Sequence, residues 1–226
     1  MMSNLLAKTI VGFVALMSIL AVLLFVSAGS LSFWQAWMYL AIFAGCTVLI
    51  TAYLFKYDQK LLARRVDAGP AAETQRSQQL ISGLASLCFI GMFVVAGLDA
   101  RFRWSDVPPL VSVIGAGLVA LGFYLVFLVF RENSYTSGTI EVAEEQRVIA
   151  SGPYSLIRHP MYAGAAVLLI GSPLALGSWA ALPLALGVIL VVAVRSLDEE
   201  RFLRANLRGY TEYCQKVRYR LIPFVW

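Results

Sequence analysis

The side chains able to do chemistry crowd into two short stretches. In Ser151-Gly-Pro-Tyr-Ser-Leu-Ile-Arg-His-Pro-Met-Tyr-Ala-Gly164, nine residues hold Tyr154, Arg158, His159 and Tyr162. In Arg195-Ser-Leu-Asp-Glu-Glu-Arg-Phe-Leu-Arg204, Arg195 and Glu199 stand one helical turn apart, as do Glu200 and Arg204. Such groups can grip an anion with arginine and a cation with carboxylate. Metal chemistry finds no support: there is 1 histidine, and Cys46, Cys88 and Cys214 lack ligand spacing. A plainer reading stands beside this one. Arg158 would snorkel to head groups, His159 would cap a helix, and Tyr154 and Tyr162 would sit in an aromatic belt. The two acidic–basic pairs would be intrahelical ion pairs worth a few tenths of a kcal/mol, and for Glu200 with Arg204 that is the reading we adopt.

The elements that position these stretches belong to a membrane protein. Of 226 residues 60% are hydrophobic and 14% charged, against a charged share near ~25% in soluble domains. Residues 9–55, 77–98, 107–130 and 161–194 contain no Asp, Glu, Lys or Arg. Roughly 20 apolar residues cross a bilayer, so the second and third runs make one span each and the other two fold back. A soluble enzyme, a disordered tail and a disulfide-stapled secreted domain are thereby excluded. The expected architecture is all-α, a polytopic helix bundle of about six membrane segments. The first run breaks at Ser27-Ala28-Gly29-Ser30, giving spans over 9–28 and 34–55 with Trp34 and Trp37 at the interface. The first span is too long for a signal-peptide core and is expected to stay in the mature protein. Spans three and four cover 80–98 and 108–130, the latter opened by Pro108-Pro109. The last run, interrupted at Gly171-Ser-Pro173 and Gly177-Ser-Trp179, reads as a short helical hairpin over 161–176 and 178–194. Of the 18 Lys and Arg residues, all but Arg101 and Arg103 fall on one face, which the positive-inside rule makes cytoplasmic, with both termini. The net charge of +5 is thus a topology signal, and no nucleic-acid partner is expected.

Both chemical stretches lie on that face and flank the hairpin. Pro160 disfavours helix at His159 and can itself open the next helix, while Gly152-Pro153 marks a turn. Two polar elements converging over a hairpin make a pocket open to cytosol and lipid. In this setting Gly152-Pro-Tyr-x-x-x-Arg-His-Pro-x-Tyr-x-Gly164, Arg195-x-x-x-Glu-Glu200 and the closing Ile222-Pro223 resemble the isoprenylcysteine carboxyl methyltransferase family, within a wider group of phospholipid methyltransferases. The resemblance covers 131–223. It implies a division into amino-terminal membrane spans, 1–130, and a methyltransferase region, 131–226.

The resemblance further implies S-adenosylmethionine as cofactor. Gln146, Arg147, Val148 and Ile149 match the cofactor-contacting segment before the Gly-Pro-Tyr motif. Tyr154, His159, Pro160, Met161 and Tyr162 match residues lining the same site, and Glu199 matches a cofactor ligand. Arg195 matches the arginine aimed at the substrate and is the expected catalytic, substrate-holding residue. Glu141 is the nearest candidate for a further polar group upstream, and Leu207-Arg-Gly-Tyr210 departs from the usual family sequence. Gly115-Ala-Gly117 resembles a Gly-x-Gly of phospholipid methyltransferases, though close helix packing suits it as well. The implied reaction is methylation of a lipophilic acceptor reaching the site from the bilayer. A carboxylate is favoured because Arg195 is present; a lipid amine or thiol, a non-catalytic scaffold and a membrane reductase are the alternatives.

Overall fold

The computed structural model describes residues 2–66, 76–136 and 146–226. Everything regular in them is helical: α1 (Met2–Ala28), α2 (Trp34–Tyr57), α3 (Gln59–Val66), α4 (Arg76–Phe102), α5 (Pro109–Glu132), α6 (Pro160–Ala175), α7 (Leu182–Asn206) and α8 (Tyr210–Lys216), with one 3-10 turn at Gly152–Ser155. Four of these, α1, α2, α4 and α5, are long and apolar enough to cross a membrane. The all-α polytopic bundle is therefore as expected. Glu141 lies outside the described residues.

The expected breaks hold, with adjustments at the ends. Gly29 ends α1 in a left-handed conformation, φ 63°, that glycine adopts without steric cost. Pro108 caps α5 rather than opening it, and Pro109 takes the first helical position. The second arm of the hairpin starts at Leu182 rather than 178, because Ser178 is occupied elsewhere. Its hydroxyl donates to Asp99, which also accepts from the Ser105 amide at 2.7 Å and the Ser105 hydroxyl at 2.6 Å. This carboxylate, 1% exposed, ties the end of α4 to the hairpin turn. No motif drew attention to it. Sequence reading also missed α3, whose Leu61 and Leu62 bury against Leu54 and Phe130, and α8.

Helix α6 has 16 residues, about 24 Å at ~1.5 Å per residue, short of a hydrocarbon core of ~30 Å. What holds it is α5. Gly115 and Gly122 on α5 face Gly171 and Gly164 on α6, each pair of glycines two turns apart in its helix. A methyl group built on Gly115 would lie 2.3 Å from the Ala175 nitrogen, and one on Gly122 would lie 2.6 Å from the Leu168 nitrogen. Backbone thus meets backbone, the close approach that small residues permit between membrane helices. Gly117 has open space around its α-carbon, so Gly115-Ala-Gly117 acts through one packing glycine, and neither glycine lines the cavity described below. Tyr39 and Ser172, both buried, pair their hydroxyls at 3.2 Å and add α2 to the same contact.

Gly115→Ala and Gly122→Ala should each force α5 from α6 and destabilise the fold by about 1–3 kcal/mol, whereas Gly117→Ala should be neutral. Thermal unfolding of the detergent-solubilised variants checks this, and equal melting temperatures for all three would contradict it.

Candidate active site

The site forms where α5, α6 and α7 end together. Pro160 opens α6, and the preceding turn folds over Glu132 at the end of α5. Gly152, at φ 54°, leaves room there for the Glu132 carboxylate, which a methyl group would meet at 2.8 Å. Asn133 follows, and its amide donates to the Tyr154 hydroxyl at 3.0 Å. Burial, more than offsetting that hydrogen bond and helped by nearby Glu199, pushes the Tyr154 phenol up to about 12. The Tyr213 hydroxyl of α8 donates to the Tyr154 carbonyl at 2.8 Å. Burial likewise raises the phenols of Tyr210 and Tyr213, so all three tyrosines stay protonated donors at neutral pH.

Arg158 and His159 enter this frame from the turn. The Arg158 and His159 amides donate to the carbonyls of Tyr219 and Arg220, each at 2.9 Å, which lays the carboxyl-terminal segment along the turn. The Arg158 side chain, 9% exposed, does not snorkel. Its Nε donates to the Val217 carbonyl at 2.7 Å and its Nη2 to those of Cys214 and Arg218 at 3.0 and 3.2 Å. Its Nη1 donates to both Glu200 oxygens, at 3.1 and 3.0 Å.

Glu200 is thus more than half of an i,i+4 pair with Arg204, and that reading is corrected here. Arg204 does reach Oε2 at 3.3 Å, but Arg220 Nε donates to Oε1 at 3.2 Å as well. The carboxylate is 5% exposed, and one guanidinium on the helix surface could not compensate a charge so buried. Burial would raise its pKa, but His159 and Arg158 beside it outweigh that and hold it down at about 2.

Glu199 has a different environment. It accepts from the Tyr162 hydroxyl at 2.6 Å and keeps 27% of its side chain exposed. The His159 ring stacks on Tyr162, centroids 5.5 Å apart and planes 13° from parallel. Its Nδ1 lies 4.0 Å from Glu199, and its Nε2 lies 3.4 Å from Glu200 without hydrogen-bond alignment. His159 is the helix cap by position, yet its side chain makes no capping bond. Arg195 donates from Nη1 to the Ser82 hydroxyl at 2.9 Å and stands within electrostatic reach of Tyr162.

One cavity gathers all the residues that the family resemblance assigned to the site: Gln146, Arg147, Val148, Ile149, Tyr154, His159, Pro160, Met161, Tyr162, Arg195 and Glu199. It also takes in Arg158 of the same motif and adds Asn133, Tyr135, Thr136, Leu203, Leu207, Tyr210 and Tyr213, which sequence reading did not place there. Gly209, at φ 87°, caps α8, and Leu207 and Tyr210 on either side of it are buried against the cavity. The i,i+3 spacing of Tyr210 and Tyr213 was the available signal. The wall offers a carboxylate for a cation, arginines for an anion, and apolar and aromatic surface between them. Among the described residues no cluster of His, Cys, Asp and Glu could hold a metal.

Fold and site together define a membrane-embedded helix bundle with a polar cavity at one end of its helices. Residues 110–208, somewhat under half of the chain, match the family model for phospholipid methyltransferases. The matched segment begins in α5. The chain is also similar to the Delta(14)-sterol reductase TM7SF2 of Mus musculus, 32% identical over 91 residues. That stretch is 39% of this chain and 22% of the reductase, so the chain spans about a fifth of its relative's length.

Because the Glu200 pKa lies below its ordinary value of 4.5, its stabilisation is complete above that pH and drains away as pH falls towards about 2. The loss should approach roughly 3 kcal/mol. Melting temperatures of wild type and Glu200→Gln, measured across that window, should converge at the acid end; parallel curves would refute the assignment.

Proposed function

We propose that this protein is an integral membrane methyltransferase that uses S-adenosylmethionine to methylate a lipophilic acceptor, most favourably a carboxylate. The observation that carries it is the coincidence of the methyltransferase family match with the cavity at the ends of α5–α7. When bound, the cofactor supplies an electrophilic methyl on a sulfonium; the S–CH3 bond breaks as the bond to the acceptor forms, leaving a thioether. The chain's residues fit that group. Glu199 presents a partly exposed carboxylate to an ammonium, and the buried imidazole of His159, its Nδ1 4.0 Å from Glu199, sits at the same wall. Tyr154, Val148, Ile149 and Leu207 offer the aromatic and apolar surface an adenosine needs.

In-line displacement leaves positioning and electrostatics to the protein. A carboxylate acceptor is already ionised at neutral pH and needs no general base. Arg195, held by Ser82 and close to Tyr162, is placed to bind it with two N–H groups. We further place the cavity and both termini on the cytoplasmic face, because that end of the bundle carries the basic residues. The four apolar spans embed the cavity's neighbours in lipid, so the acceptor enters sideways from the bilayer.

The likeness to a sterol reductase favours a second reading, reduction of a sterol-like lipid. Titration of the purified protein with S-adenosylhomocysteine and with a reduced nicotinamide dinucleotide separates the two. Heat should appear with the first only. A labelled-methyl transfer assay on membranes then identifies the acceptor. Arg195→Ala should lower turnover of an acidic acceptor about 100-fold while leaving S-adenosylhomocysteine affinity nearly unchanged. Full activity in that variant would remove the carboxylate version.

A further inference from the structure

Adjacent glutamates on α7 have opposite surroundings. Glu199 lines the cavity, and Glu200, 5% exposed, points behind it into Arg158, Arg204 and Arg220. Arg158 spends its remaining donors on carbonyls of Cys214, Val217 and Arg218. Arg158 thus anchors the chain after α8, and its charge is neutralised by Glu200. The same chain receives the Arg158 and His159 amides on the carbonyls of Tyr219 and Arg220. Arg220, whose carbonyl accepts from His159, is itself held by Glu200 at 3.2 Å.

We propose that Glu200 is the positioning residue of this site: it touches no ligand, and by holding Arg158 and Arg220 it docks residues 214–220 against the turn and so fixes where His159 faces the cavity. The proposal rests on the reading that a cofactor binds beside Glu199 and His159. Loss of the Glu200 charge leaves a buried guanidinium without its counter-charge, among the costlier single changes a protein can suffer. The tail then loosens from the turn, and His159 loses its fixed orientation. The effect falls on cofactor affinity, because neither Glu199 nor Arg195 is displaced by it.

Glu200→Gln, Glu200→Asp and the exposed control Arg201→Ala are compared in the full-length, detergent-purified protein. Arg201 pairs only with Asp198 among the described residues, at 3.1 Å, far out on the helix surface. Titration with S-adenosylhomocysteine, well below each melting temperature, should show affinity weakened roughly tenfold or more in Glu200→Gln, partly recovered in Glu200→Asp and unchanged in Arg201→Ala. Turnover at saturating cofactor should stay within about threefold of wild type in all three. Hydrogen exchange should accelerate at the Arg158 and His159 amides in Glu200→Gln alone. Wild-type affinity in a folded Glu200→Gln overturns the proposal, whatever its melting temperature. A wild-type protein that binds no S-adenosylhomocysteine sinks the cofactor reading instead; unchanged exchange at Arg158 and His159 then overturns the docking itself.

Discussion

Everything at the polar end depends on the backbone contact between α5 and α6. Gly115 and Gly122 let the α6 backbone, with Leu168 and Leu174, lie directly against α5, so the two helices cannot slide relative to each other without collision. That register decides where Pro160 starts α6, and hence where Arg158 and His159 emerge beside Asn133 and the end of α5. A helix of 16 residues cannot be located by spanning the bilayer. It is located by its neighbour, and at its other end by Asp99 gripping the Ser178 hydroxyl.

From this geometry follows a separation of charge. Three arginines converge on the buried Glu200, while Glu199 one residue earlier accepts from the Tyr162 phenol and keeps an open side. Helical geometry accounts for the difference, since consecutive residues point about 100° apart. One carboxylate is therefore enclosed among arginines and the other stands open to the cavity. Arg195, a turn before Glu199, faces the cavity as well, so cationic and anionic recognition sit side by side where α7 leaves the apolar part of the bundle.

The match to the phospholipid methyltransferase family runs from α5 to just beyond α7, residues 110–208. Its frame is a short hairpin on a long helix with a polar cavity at their ends. Which reaction runs depends on the groups in the wall. Here the wall offers Glu199, His159 and Arg195, a carboxylate, an imidazole and a guanidinium side by side.

The sequence by itself determined the membrane class, the helical spans and the two stretches that form the cavity. Hydrophobic runs and their breaks at Gly29, Pro109 and Gly177 are local properties, written in consecutive residues. The motif residues were legible for the same reason, because fixed spacing around Pro160 and along α7 survives without knowledge of the fold. Glu200 was misread as a surface pair, since its spacing to Arg204 is visible in one helix whereas Arg158 and Arg220 lie 42 and 20 residues away. The Asp99–Ser178 contact and the docking of residues 217–220 were invisible likewise, each defined by partners distant in the chain. Only the tertiary structure decided which of two neighbouring carboxylates is buried, because burial of a charge depends on what the rest of the molecule brings to neutralise it.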